Sequence, residues 1–93
     1  MRLSTMEATT IKTVLASIDS TAKVYLFGSR VDDHQKGGDI DLLVFSKKID
    51  LSKKIRFHAK LWEQLGEQKI DIVIAKASNH AFVDSILNKA VQL

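Results

Sequence analysis

Two short apolar runs, Ile40–Phe45 and Ile70–Ala75, constrain this chain more than any other feature, because each carries an aspartate near its start. Both are strand-length and rich in aliphatic residues, so each reads as a strand bounded by polar segments. Residues 46–68 between them hold a whole helical pattern, which suits a right-handed crossover returning to a parallel strand. A third β-rich run, Lys23–Phe27, stops at Gly28. The connection 28–38 is too short for a crossover, so the strands it joins are predicted to be antiparallel neighbours linked by a helical turn. With those directions, the end of the first strand meets the starts of the other two at one edge of the sheet. Gly28, Ser29, Asp39, Asp41 and Asp71 occupy that edge.

The remaining segments read as helices. Ser4 and Glu7 form a capping-box pattern, and Ile11, Val14, Leu15 and Ile18 follow at helical spacing, which predicts a helix over residues 5–20. Ser52 is placed to cap a second helix, with Ile55, Ala59, Trp62 and Leu65 on its apolar side and Gly66 as its stop. On that spacing Trp62 belongs to the core. Phe82, Val83, Ile86, Leu87, Ala90 and Val91 predict a last helix. The expected fold is α/β (α+β), a small mixed sheet of about three strands packed with helices, in a single domain spanning 1–93.

Composition narrows the setting. Apolar residues make up 45% of the 93, enough for a core without staples. The absence of cysteine excludes disulfides and thiolate metal sites and fits a reducing compartment. No apolar run reaches the length of a membrane span, and Met1-Arg2-Leu3-Ser4-Thr5 lacks the apolar stretch of a signal peptide, so a cytoplasmic protein is expected. The net charge of +3 is a mild excess. Lys47, Lys48, Lys53, Lys54, Arg56 and Lys60 form a basic stretch, either a solvated face or a surface for RNA or an acidic partner. His34, His58 and His80 lack ligand spacing, so zinc is not expected.

Asp39 and Asp41 are two apart, so on a strand both side chains leave one face, with Cα atoms about 7 Å apart. That span lets two carboxylates lean on ions roughly 3.5–4 Å apart, as in two-metal phosphoryl-transfer sites. Aspartate is disfavoured in strands, and two on one face repel unless a cation lies between them. Alone, the pair could simply begin a strand at its solvated end. Asp71 argues against that: it interrupts a second apolar strand at the same edge, opposite the buried face of Ile70, Ile72 and Ile74. Gly28-Ser29 adds a place where backbone and hydroxyl could meet a phosphate, although a plain turn with a serine cap would look the same. Arg30 is either a phosphate contact or a solvated cation. No P-loop and no dinucleotide fingerprint is present.

Taken together, Leu26-Phe27-Gly28-Ser29-Arg30, Gly37-Gly38-Asp39-Ile40-Asp41-Leu42-Leu43-Val44 and Lys69-Ile70-Asp71-Ile72-Val73 resemble the signature of the minimal nucleotidyltransferases, the MNT group of the DNA polymerase β superfamily. The resemblance spans residues 24–75. It implies a polymerase-β-like fold and transfer of a nucleoside monophosphate to a hydroxyl with loss of pyrophosphate. It also implies that Gly28, Ser29 and Arg30 bind the triphosphate of ATP. Asp39, Asp41 and Asp71 would be catalytic and hold two Mg²⁺ ions, with Asp71 also a candidate base. Small proteins of this group resemble antitoxins that add AMP to a tyrosine of a helical HEPN-type toxin partner. One departure stands out: the stretch from Arg30 to Gly38 is one residue shorter than is usual. That departure favours an alternative, a nucleotide-binding module that masks its partner without turnover. A third alternative, a transferase acting on RNA ends, has only the basic stretch behind it. A homo-oligomer is open.

Overall fold

The computed structural model describes residues 3–31, 39–66, 68–76 and 81–93, Ser29 by its backbone only. The chain opens with α1 (Thr5–Ile18), entered through the predicted capping box. Ser4 Oγ accepts from the Glu7 N–H at 3.0 Å, and Glu7 Oε1 accepts from the Ser4 N–H at 3.0 Å. The chain continues through β1 (Lys23–Phe27), a 3₁₀ turn (Gly28–Val31), β2 (Ile40–Phe45), α2 (Leu51–Leu65), β3 (Ile70–Ala75), α3 (Ala81–Leu87) and β4 (Val91–Gln92).

The sheet order is β3-β2-β1-β4. The β1 and β2 strands are antiparallel and β2 and β3 parallel, as the connection lengths predict. The fourth strand is a correction. Helical spacing carried the last helix through Ala90 and Val91, but α3 stops at Leu87, and Val91 and Gln92 pair antiparallel with Leu26 and Tyr25. The physical reason is the outer edge of β1, a row of backbone groups that needs partners; Leu93 extends the cover by donating to the Val24 carbonyl at 3.0 Å.

Side-chain alternation divides the sheet into two faces. Leu26, Ile40, Leu42 and Val44 join Ile11, Val14 and Leu15 of α1 and Phe57 and Leu61 of α2 in the main core. On the other face, Leu43 and Ala75 pack with Val83 of α3, flanked by Tyr25, Phe27, Phe45 and Val73.

Helix α2 departs from the sequence expectation twice. Its cap is Asp50, whose carboxylate accepts from the Lys53 N–H at 2.9 Å, rather than Ser52. Its buried residues are Phe57 and Leu61, both fully enclosed, while Ile55, Ala59 and Trp62 are exposed and Leu65 is half-buried. The helix carries two apolar stripes, and the one with the larger i, i+4 pair, Phe57 and Leu61, fills the space between α1 and the sheet. Trp62 instead donates its Nε1–H to the Gln68 carbonyl at 2.6 Å, just beyond Gly66, which closes the helix at φ 88° as predicted.

A polar knot ties the far end of the sheet. Asp19, only 4% exposed, accepts from the Thr21 N–H and hydroxyl and, at 2.5 Å, from Ser46 Oγ. The Ser46 hydroxyl in turn accepts from the Lys48 and Ile49 N–H groups. These bonds, chiefly the one from Ser46, hold the Asp19 carboxyl at about 2, and they fix the exit of α1 against the exit of β2. Among the described residues no helix is long and apolar enough to cross a membrane.

Candidate functional site

The antiparallel register sets Phe27 opposite Asp41, and the parallel register sets Asp41 opposite Asp71. Three strands therefore bring two carboxylates side by side on the face that carries Leu43 and Val73, at the edge where β1 gives way to the 3₁₀ turn. The chain can turn there because residue 28 is glycine. Its φ of 78° lies in the left-handed region, and a Cβ built on it would overlap Asp41 Oδ2. Backbone and carboxylate meet with nothing between them, an approach only glycine allows.

Asp41 is half-buried, and its carboxyl titrates above the ordinary value of 3.8. Burial is the largest cause; the charge of Asp71, a hydrogen bond with Asp71 and the charge of Asp39 add to it, while Lys69 opposes. Physically, burial and the neighbouring negative charges disfavour the ionised form of the Asp41 carboxyl. Asp71 itself is exposed.

Asp39 lies one residue before β2 and faces a different neighbour. Its Oδ2 is 3.5 Å from Lys69 Nζ, with the two side chains 43% and 70% exposed, so the ion pair is weakly held. Among the described residues no three His, Cys, Asp or Glu side chains gather as a ready cation cage. The sequence predicted three acids at one edge. The structure brings all three to that edge, couples Asp41 to Asp71 and engages Asp39 with a lysine.

Arg30, in the 3₁₀ turn, donates from Nη2 to Gln68 Oε1 at 3.3 Å, and Gln68 Nε2 donates to the Leu65 carbonyl at 2.9 Å. The guanidinium is thus tied to the α2–β3 connection at the same end of the sheet. The Ser29 side chain, Gly37, Gly38, His34 and His80 lie outside the described residues. Lys69 and Gln68 were not singled out from the sequence, although the parallel register that pairs Ile40 with Ile70 already sets Asp39 beside Lys69.

Part of the basic stretch lies elsewhere. Lys47 and Lys48 join Lys23 and Lys76 around a groove of about 520 Å³ beside Tyr25 and Phe45. Phe45 is four residues along β2 from Asp41, about 13 Å away at strand rise. The lysine groove and the acid pair are at opposite ends of the sheet.

The family model described as "Polymerase beta, Nucleotidyltransferase" matches residues 9–93. No curated protein sequence matches the chain. The match runs from α1 through β4 and takes in Gly28, both strand-borne aspartates and the crossover helix that aligns them, and the chain belongs to the polymerase β nucleotidyltransferase family.

Proposed function

We propose that the chain is a Mg²⁺-dependent nucleotidyltransferase that moves AMP from ATP to a hydroxyl, a tyrosine of a helical HEPN-type toxin, and so acts as that toxin's antitoxin. One observation carries the catalytic part: Asp41 and Asp71 are cross-strand partners under the Gly28 bend in a chain of this family. Nucleotidyltransferases of this kind generally use a nucleoside triphosphate and a divalent metal. The donor set fits. Carboxylates are hard oxygen ligands of the kind Mg²⁺ prefers, and the negative charges of Asp71 and Asp39 that help raise the Asp41 carboxyl lie close enough together for one cation to offset. Asp39, Asp41 and Asp71 would hold the metal, and its chemistry there is neutralisation of charge on the phosphate oxygens.

The other steps fall to the chain itself. Gly28, lacking a Cβ, lets backbone approach the triphosphate, and Ser29 and Arg30 follow it in the turn. Asp71, exposed beside Asp41, is the group to take the proton of the acceptor hydroxyl. The hydroxyl oxygen then bonds to the α-phosphorus, the bond to the β-phosphate oxygen breaks, and pyrophosphate leaves with the electron pair. Positioning and charge neutralisation supply most of the rate in such transfers. Free small hydroxyl compounds should therefore be poor acceptors, because none of the described residues walls the acceptor side of this edge.

Two other readings rank lower. An RNA-end transferase draws only on the basic stretch, and that stretch is split, with Lys47 and Lys48 joining Lys23 and Lys76 at the other end of the sheet from the acids while Lys54 lies beside Asp71. A nucleotide-holding module without turnover has the shortened 30–38 connection in its favour. Co-expression with a helical HEPN-type protein, followed by mass spectrometry, separates them. An AMP added to a partner tyrosine, and lost with Asp41→Asn, is the expected result. An unmodified partner alongside AMP transfer to RNA or to small molecules would overturn the proposal.

A further inference from the structure

The polar bonds of the α2–β3 connection converge on Gln68. Its backbone is held on both sides: the Gln68 N–H donates to the Gly66 carbonyl at 2.9 Å, and the Gln68 carbonyl accepts from Trp62 Nε1 at 2.6 Å. One residue on, the Lys69 carbonyl accepts from the Ile40 N–H at 3.1 Å, where the parallel ladder of β2 and β3 begins. The side chain is held as well. Gln68 Nε2 donates at 2.9 Å to the carbonyl of Leu65, in the last turn of α2, where the helix leaves its own carbonyls without partners. Only the NH₂ end of the amide can make that bond, so the oxygen is the end turned to Arg30, and Oε1 accepts from Arg30 Nη2 at 3.3 Å. Both side chains are half-buried.

This bond joins the two segments that carry the acid edge. Gly28, two residues before Arg30, brings its backbone against Asp41 Oδ2. Lys69, directly after Gln68, pairs with Asp39, and Asp71 follows in β3. The arginine is therefore fixed from one side by the turn that touches Asp41 and from the other by the connection that leads to Asp71.

The chemistry of the tie is informative. A guanidinium presents its donors in a rigid planar fork that matches phosphate. An amide oxygen orients that fork without offsetting its charge, whereas a carboxylate in the same place would orient it more strongly and cancel the charge. For a tie to Arg30 alone, glutamate would serve better. A neutral partner suits an arginine whose charge acts on an anion.

We propose that Gln68 is a positioning residue for the transfer reaction: it holds the Arg30 guanidinium beside the acid edge while leaving its charge to act on the triphosphate. Trp62 serves the same end at one remove, since its indole N–H fixes the Gln68 carbonyl. This rests on the nucleotidyltransferase reading above and adds to it a residue that acts through Arg30.

The test is titration calorimetry of the full chain with a non-hydrolysable ATP analogue, α,β-methylene ATP, in the presence of Mg²⁺. Gln68→Ala should weaken binding about three- to tenfold, the scale of one hydrogen bond's net contribution. Gln68→Glu should weaken it about tenfold or more, because the arginine is then held by a charge that offsets its own. This variant keeps the length of the side chain, so it reads the charge even where Gln68→Ala loosens the connection. In an Arg30→Ala background, Gln68→Ala should add about twofold or less, since the two residues act as one unit. A role confined to bracing the connection would give the same loss in both backgrounds. Lys47→Gln, at the far end of the sheet, should leave binding unchanged. Gln68→Glu that binds as tightly as the wild type, or a Gln68→Ala loss that persists in full without Arg30, would overturn the proposal. A wild type that binds no analogue would sink the transferase reading and this inference together. Wild-type binding that neither Gln68 variant alters would sink the inference alone.

Discussion

Gly28→Ala is the sharpest probe of the site, because the structure assigns it two separate penalties. The first is conformational: φ is 78° at this position, and an L-residue held there costs roughly 1–2 kcal/mol. The smaller entropy of the unfolded alanine chain offsets about 0.4–1 kcal/mol of destabilisation that a glycine would carry only where the backbone is compatible, and here it is not. The second is steric. The new Cβ would overlap Asp41 Oδ2, so the carboxylate must swing away from both Gly28 and Asp71. The two together predict a loss of about 2–3 kcal/mol, within the range of strained special positions. For a domain of this size each kcal/mol lowers Tm by about 4–8 °C. Thermal unfolding followed by circular dichroism reads this directly. Asp41→Gly in the Gly28→Ala background removes the obstructing carboxylate and should recover the steric share but not the conformational one, so the double-mutant cycle should show coupling of about 0.5–1.5 kcal/mol. A Gly28→Ala protein as stable as the wild type, or a cycle with no coupling, would refute the close approach of backbone and carboxylate on which the site depends.

Two further predictions concern protons. The Asp41 carboxyl titrates above 3.8 when folded, so its favourable contribution is complete below that pH and is lost as pH rises through the raised value. Metal-free Asp41→Asn should therefore match or trail the wild type near pH 3.5 and gain on it by about 0.5–1.5 kcal/mol at neutral pH, the scale of like-charge relief; a lower Tm than wild type at pH 7 without Mg²⁺ would make the aspartate a structural support instead. Asp19 has the opposite sign. Its carboxyl is held at about 2, so its contribution is present above the unfolded value and fades as pH falls from about 4 to 2. Asp19→Asn should cost on the order of 1–2 kcal/mol at pH 7, allowing for solvent at the rim, and should flatten the acid limb of the stability curve. An acid limb as steep as the wild type's would show that other carboxylates set it.

The acid site was legible in the sequence for a reason the helices do not share. An aspartate inside an apolar strand violates local preference, so Asp41 and Asp71 announce themselves, and connection lengths alone fix the directions that make them neighbours. Their coupling follows from register, which alternation specifies wherever one face is buried. Helix α2 gave the opposite situation. Both of its apolar stripes, one through Ile55 and Trp62 and one through Phe57 and Leu61, obey helical spacing, so periodicity could not choose between them. The choice is tertiary: Phe57 and Leu61 fill the gap beneath α1. Val91 obeys the helical spacing yet leaves the helix for a related reason, since the demand that draws it into β4 comes from the edge of β1 and leaves no trace in its own spacing. The misread stripe on α2 is itself informative. A helix needs one apolar face to fold onto a sheet, and among the described residues the second, through Leu51 and Ile55, stays exposed beside the edge strand that carries Asp71. Folding alone explains Phe57 and Leu61, while no packing among the described residues accounts for Leu51 and Ile55.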